Sequence, residues 1–115
     1  MHRNSLRVLE RRAAFPELRP LLDRIEAAYH PVDIVVFGSR ARGDARPDSD
    51  WDILIVLPDD APELMLDPAL AWQTQTGSGI HADLQSCYRS EFLADLNVAN
   101  SQAREVVGYA IGVGP

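Results

Sequence analysis

The stretch GSRARGDARPDSDWDILIV, residues 38–56, combines a glycine-serine pair, two closely spaced aspartates and a strongly apolar run. The run over residues 51–57 is nearly continuous in large apolar side chains and stops at Pro58, which predicts a central strand covered on both faces. Asp50 and Asp52 lie at its start, and side chains two residues apart on a strand point to the same face. Two carboxylates that close raise the cost of ionising each other, so a cation is expected beside them.

Segments on either side of this stretch have the composition or alternation of further strands and helices. Strands are predicted over residues 32–37, 51–57, 80–88 and 105–111. Helices are predicted over residues 16–29, 68–75 and 90–98, the last capped by Ser90, with a basic amphipathic helix carrying Arg3, Arg7 and Arg11 before them. Residues 40–49 and 61–66 are predicted as loops. The fold class is therefore α/β or α+β, with one mixed sheet of about four strands and helices packed against it.

Composition limits the classes of protein to which the chain can belong. Its 115 residues fit a single domain, residues 1–115, and at 46% hydrophobic residues it can fill a core. A net charge of −6 argues against direct DNA binding. No run of the sequence has the length and hydrophobicity of a membrane span or the pattern of a secretory signal. The single cysteine, Cys87, suits a reducing compartment, so we expect a cytoplasmic protein in which Cys87 is a small core residue.

Glycine, serine and carboxylates are predicted to meet at one edge of the sheet. Gly38 and Ser39 end the first predicted strand, while Asp50 and Asp52 open the second, so the four residues converge if those strands are neighbours. Glycine lets a phosphate approach the backbone closely, and Ser39 adds a hydroxyl donor. Paired carboxylates without cysteine or clustered histidine suit hard cations, Mg²⁺ first. Together these groups indicate a site for a metal-bound nucleoside triphosphate.

Asp83, on the third predicted strand, is a candidate third carboxylate. Two-metal sites for phosphoryl or nucleotidyl transfer use such a residue at the catalytic metal and the attacking hydroxyl. His81 and Gln85 share its polar face, and a polar strand face is most often simply solvated. Asp83 counts as a site residue only if that face turns toward Asp50 and Asp52.

GSRARGDARPDSDWD, followed by HADLQ at residues 81–85, closely resembles the signature of the nucleotidyltransferase superfamily related to DNA polymerase β. That signature is Gly-Ser, a spacer, Asp-x-Asp on a strand, and a third Asp on a later strand. The spacer, with its ARG turn and SDxD ending, is most similar to that of the minimal nucleotidyltransferases (MNT), many of which are antitoxins paired with a HEPN-domain toxin. The resemblance covers the chain from the second predicted helix to the last strand.

The resemblance implies a role for each matching residue. Gly38 and Ser39 would hold the triphosphate, and Asp50, Asp52 and Asp83 would be the catalytic residues and the ligands of Mg²⁺, in a site for two ions. Asp83 would also help to deprotonate the acceptor hydroxyl, which would attack the α-phosphate and release pyrophosphate.

Two arginines of the loop are candidates for binding the same nucleotide. Arg40 and Arg42 would contact phosphate, because a guanidinium suits phosphate oxygens. The alternative is that they pair with Asp44 or Asp48 in the same turn.

The resemblance further implies an acceptor and a partner. The expected reaction transfers AMP from ATP to a hydroxyl of a protein, a tyrosine of a cognate HEPN toxin, and thereby makes the chain an antitoxin. One alternative is an antitoxin that neutralises its partner by binding alone, with the basic N-terminal helix as its docking surface. Another is an adenylyltransferase acting on a small molecule of the antibiotic type.

The large aromatic residues are predicted to pack inside the fold. Phe37, Trp51, Trp72 and Phe92 are expected to be core residues and not groups that stack on a nucleobase.

Overall fold

The sheet has four strands in the order β3-β2-β1-β4. The structure, a computed structural model, describes residues 15–43, 45–97 and 111–114. Its strands are β1 (Asp33–Phe37), β2 (Trp51–Leu57), β3 (Ala82–Tyr88) and β4 (Ile111–Gly114). β1 runs antiparallel to both β2 and β4, whereas β3 runs parallel to β2. The predicted fold class, a mixed sheet with helices, is confirmed.

The helices follow from local sequence signals. They are α1 (Arg19–Tyr29), α2 (Ser39–Arg42), α3 (Pro68–Gln75) and α4 (Arg89–Asn97), with 3-10 turns at Pro16–Leu18 and Glu63–Leu66. In α1 the buried residues Leu21, Leu22, Ile25 and Tyr29 recur at helical spacing and form its apolar stripe. α1 ends where His30 adopts a left-handed conformation (φ 48°), just before Pro31. None of the described helices is long and apolar enough to cross a membrane.

Several predicted boundaries differ from the structure. The predicted loop over residues 40–49 begins inside the short helix α2, which starts at Ser39. Ser90 does not cap the last helix, because α4 begins at Arg89 and the Ser90 backbone N–H donates to the Asp59 carboxylate at 2.9 Å. The predicted fourth strand shares only Ile111 with β4, and its residues 105–110 lie outside the described part, as does the predicted N-terminal helix.

Different helices cover the two faces of the sheet. On one face Ile34, Ile53 and Ile55 are fully buried in the cluster that contains the apolar stripe of α1. On the other face Val35 and Val56 are buried with Phe92 of α4. Because side chains alternate along a strand, Asp52 projects from the α4 face, together with Val56. The α4 face is therefore the one on which the candidate site is built.

α1 and α3 are joined by a hydrogen bond between Tyr29 and Thr74. Tyr29 is 1% exposed, and burial raises the pKa of its hydroxyl, while the hydrogen bond to Thr74 partly opposes that rise. Thr74 in turn donates to the carbonyl of Leu70 at 2.7 Å. The inward side of α3 therefore carries a polar contact, and its bulky Trp72 lies on the outward side.

The aromatic residues only partly follow the prediction. Trp51 is 6% exposed and Phe92 is 3% exposed, so both are core residues as expected. Phe37 is half-buried against the cluster on the α4 face. The prediction for Trp72 is wrong, because its side chain is 67% exposed. Cys87 is also half-buried and packs against that cluster.

Candidate functional site

Gly38 ends β1 in a conformation that brings its backbone against Asp52. Its φ of 73° and ψ of −153° lie in a region that is essentially restricted to glycine. A Cβ at this position would collide with the Asp52 carboxylate oxygen Oδ2. Phe37, the residue before Gly38, is the register partner of Asp52 across β1 and β2. The glycine-serine turn and the second aspartate of the motif therefore meet, as the sequence predicted.

Asp83 lies beside Asp52 on the neighbouring strand. The two residues are register partners in the parallel pairing of β2 and β3. Side chains at matched positions on adjacent strands project from the same face, and adjacent strands are about 4.8 Å apart. Asp52 is half-buried and Asp83 is exposed. The polar face of β3 is therefore turned to the side of the sheet that carries Asp52.

The adjacent carboxylates favour a cation. Two unit negative charges about 5 Å apart repel by about 3 kcal/mol at an effective dielectric constant of 20. Asp50, which immediately precedes β2 and is exposed, adds a third carboxylate close by in the chain. Oxygen ligands of this kind fit a hard divalent ion such as Mg²⁺. Within the described ranges, no three acidic, histidine or cysteine side chains lie together as a group that could hold a metal ion.

The Arg40 guanidinium lies against the loop that carries Asp50. Its Nη2 donates to the carbonyl of Ser49 at 2.6 Å and to that of Pro47 at 3.3 Å. The same guanidinium lies 4.5 Å from the ring centroid of Trp51, in cation–π geometry. Trp51 and Asp52 are consecutive on β2 and so face opposite sides of the sheet. Arg40 therefore supports the loop before β2, a role that the sequence did not predict. Its contact with phosphate stays a prediction.

Ser39 and Arg42 occupy the two ends of α2. Ser39 is half-buried and directly follows Gly38, and its carbonyl accepts a hydrogen bond from Gly43 at 3.0 Å. This position keeps Ser39 next to the turn that contacts Asp52. The phosphate contacts predicted for Ser39 and Arg42 stay predictions.

Gln85 has a contact with Asp83 that the sequence analysis did not predict, although it placed both residues on one polar face. Its amide Nε2 donates to Asp83 Oδ2 in a long hydrogen bond of 3.4 Å. The signal was present, since residues two apart on a strand share a face. The amide can therefore orient the Asp83 carboxylate.

A cavity of about 380 Å³ adjoins this position. Residues 82–86 of β3 line one side, and residues of the segment 66–75 line the other, including Leu66 and Trp72. Successive strand residues face opposite sides, so a cavity that touches five of them in a row lies along the strand edge. Sequence reasoning missed this cavity, because it depends on where α3 packs.

Comparisons with known proteins agree with the motif. A family model described as nucleotidyltransferase domain matches residues 18–110. A solved structure from Sulfolobus solfataricus, described provisionally as a nucleotidyltransferase, is similar with a TM-score of 0.50 and 21% sequence identity. That similarity covers 77% of this chain and 74% of the Sulfolobus chain, and at this identity it supports the fold alone. No curated protein matches the sequence.

Proposed function

Because the chain belongs to the nucleotidyltransferase domain family, we propose that it transfers a nucleoside monophosphate, AMP from ATP first, to a hydroxyl group of a protein partner. The observation that carries the proposal is the register pairing of Asp52 with Asp83, with the Gly38 turn against Asp52. A carboxylate pair beside a glycine turn suits a substrate that brings phosphates and a cation together.

The chain's own residues would position the reactants. Gly38 would let the turn lie directly against Asp52, beside the bound phosphates, and Ser39 offers a hydroxyl donor. Asp50, Asp52 and Asp83 would hold Mg²⁺, which when bound neutralises charge on the phosphates and the developing charge on the leaving group.

The reaction forms one phosphorus–oxygen bond, breaks another and transfers one proton. The acceptor oxygen attacks the α-phosphorus of the nucleoside triphosphate, and a new phosphorus–oxygen bond forms. The bond from the α-phosphorus to the oxygen that bridges to the β-phosphate breaks, and pyrophosphate leaves with that electron pair. Asp83 is exposed and accepts the hydroxyl proton.

A protein partner is favoured by the surroundings of Asp83. The Asp83 side chain is exposed and lines a cavity, so a segment of another protein can reach it. The resemblance of the motif to that of MNT antitoxins suggests a tyrosine of a cognate HEPN toxin as the acceptor. In that case the modification would inactivate the toxin, and the chain would act as its antitoxin.

The test combines nucleotide binding with intact mass measurement of the partner. With Mg²⁺ present, calorimetry should detect ATP binding to the wild type, and Asp52→Asn should abolish it. With ATP and Mg²⁺, a trace of the protein should make many partner molecules heavier by one AMP. Asp83→Asn should stop the mass gain and leave the complex intact, because the substitution is nearly isosteric.

Asp60→Asn is the matched control. Asp60 is also an exposed carboxylate, but it lies in the turn after β2, beyond the opposite end of that strand from Asp52. The variant should bind ATP and modify the partner as the wild type does. A partner that is silenced only at equal stoichiometry, without any mass gain, and equally by Asp83→Asn would contradict catalysis and indicate neutralisation by binding.

A further inference from the structure

The outer side of β3 carries backbone groups that β2 does not use. The N–H of Trp51 donates to the carbonyl of His81, and Trp51 pairs with Ala82. In a parallel ladder this pattern directs the backbone N–H and C=O groups of the odd-numbered residues of β3 toward β2, and those of the even-numbered residues outward. The N–H of Tyr88 fits the pattern, since it bonds the Glu91 side chain, 3.3 Å away, and not β2. Within the described ranges β3 has a strand neighbour on one side only.

The cavity lies along this outer side. It touches residues 82–86, whose even members direct their N–H and C=O groups outward, and it is bounded opposite by Leu66 and Trp72. Those two side chains are 37% and 67% exposed. A large exposed apolar side chain beside strand groups that no described strand pairs with is typical of a site where an extended peptide binds.

The charged side chains that line the cavity are both acidic. Residues 47–88 contain eight Asp and Glu residues and no Arg or Lys. Asp67 and Asp83 both line the cavity. An edge strand is commonly protected from pairing by a lysine or a proline, and residues 82–88 contain neither. The edge therefore suits a positively charged segment.

We propose that the acceptor is an extended basic peptide segment that adds to the outer edge of β3 as an antiparallel strand, with its hydroxyl residue opposite Asp83. This inference rests on the proposed function and names the substrate class of the same site. The backbone N–H and C=O groups of Asp83 point toward β2 and not toward the outer edge. An antiparallel partner residue opposite Asp83 would therefore occupy the non-hydrogen-bonded position, where side chains approach most closely. The partner side chain then lies on the face of Asp83 and Asp52. The residues before and after it point toward Leu66 and Trp72.

The probe is the peptide Ac-Arg-Gln-Val-Tyr-Val-Gln-Arg-NH2, whose tyrosine carries its only hydroxyl. Its binding to the full chain is measured by isothermal titration calorimetry without nucleotide, and its mass is measured after incubation with ATP and Mg²⁺. We expect binding that weakens with salt, and a mass gain of one AMP. The analogue with phenylalanine in place of tyrosine should bind but gain no mass.

Two N-methylated peptides test the strand pairing. Methyl groups on both valine nitrogens remove the N–H donors that face β3, and affinity should fall about tenfold or more. Methyl groups on both glutamine nitrogens face away from β3, and affinity should stay within about twofold of the parent peptide. Equal affinities of the two methylated peptides, or a loss confined to the glutamine-methylated one, would overturn the proposal.

Two protein variants test the position. Trp72→Ala should weaken binding by about tenfold, because the indole borders the cavity. Leu64→Ala is the matched control, since Leu64 is 70% exposed and does not line the cavity, and it should bind as the wild type does. Equal affinities of the two variants would overturn the placement. If the chain binds ATP and Mg²⁺ but not the peptide, this inference fails and the proposed function stands. If it binds neither ATP nor Mg²⁺, the proposed function itself is refuted.

Discussion

Replacing Gly38 with alanine is the sharpest perturbation of the candidate site. Gly43 provides the matched control, because both glycines have positive φ, 73° and 87°, and both flank α2. A Cβ at Gly43 would have no neighbour within 4 Å, whereas a Cβ at Gly38 would meet Asp52 Oδ2. The two alanine variants therefore share a backbone penalty, and only one of them displaces a carboxylate.

The expected magnitudes follow from these differences. Gly43→Ala should lower the free energy of unfolding by about 1–2 kcal/mol, the cost of a left-handed conformation for alanine. Gly38→Ala should cost about 1–3 kcal/mol for its rarer conformation and about 1–3 kcal/mol more for the steric conflict with Asp52. The effect of alanine on the unfolded chain is the same in both variants and cancels in the comparison.

Urea denaturation measures the stability of both variants, and calorimetry measures their affinity for ATP with Mg²⁺. Gly38→Ala should be the less stable protein by at least about 1 kcal/mol. It should also lose nucleotide affinity, because Asp52 must move, while Gly43→Ala keeps its affinity. Equal stability and equal affinity of the two variants would refute the close approach of Gly38 to Asp52 as a feature of the site.

Two further predictions concern residues that support the fold. Arg40→Lys should lower the free energy of unfolding by about 1–3 kcal/mol and speed hydrogen exchange over residues 46–50, because lysine cannot hold both carbonyls and the Trp51 ring as the guanidinium does. A loss of ATP affinity at unchanged stability would show instead that Arg40 acts on phosphate. Burial raises the pKa of Tyr29 in the folded state, so its contribution to stability is complete below the unfolded pKa of about 10 and is lost as pH rises through the folded pKa. Melting curves above about pH 10 should therefore show a smaller decline for Tyr29→Phe than for the wild type, and identical declines would argue against this role.

The sequence was sufficient to predict elements with strong local boundaries. The bounds of β2 follow from an apolar run that ends at Pro58, and those of α3 follow from Pro68 at one end and a glycine turn at the other. The Asp67 side chain caps α3 by accepting from the Ala69 N–H at 2.9 Å. The meeting of Gly38 with Asp52 was also predictable, because the strands that carry them are consecutive and pair directly.

Features that depend on packing between distant segments were not predictable. The exposure of Trp72 depends on which side of α3 faces the sheet, and that helix lacks an apolar stripe to indicate it. The cap of α4 involves Asp59, which is distant in sequence from Ser90. The contact of Arg40 with two carbonyls depends on the path of the loop before β2. In each case the local sequence allows several partners, and the tertiary structure selects one.

The parallel pairing of β2 with β3 has a consequence for the order in which the protein folds. β1 and β2 are joined by residues 38–50 and pair antiparallel, whereas β3 joins β2 only after residues 58–81 have crossed the sheet. Contacts between segments closer in sequence form faster, and parallel pairing is slow. The half of the site that contains Gly38 and Asp52 should thus assemble first, and Asp83 should arrive late. During synthesis, a chain that has not yet emerged past β3 would already hold the glycine turn and would lack Asp83 beside it until the crossover closes.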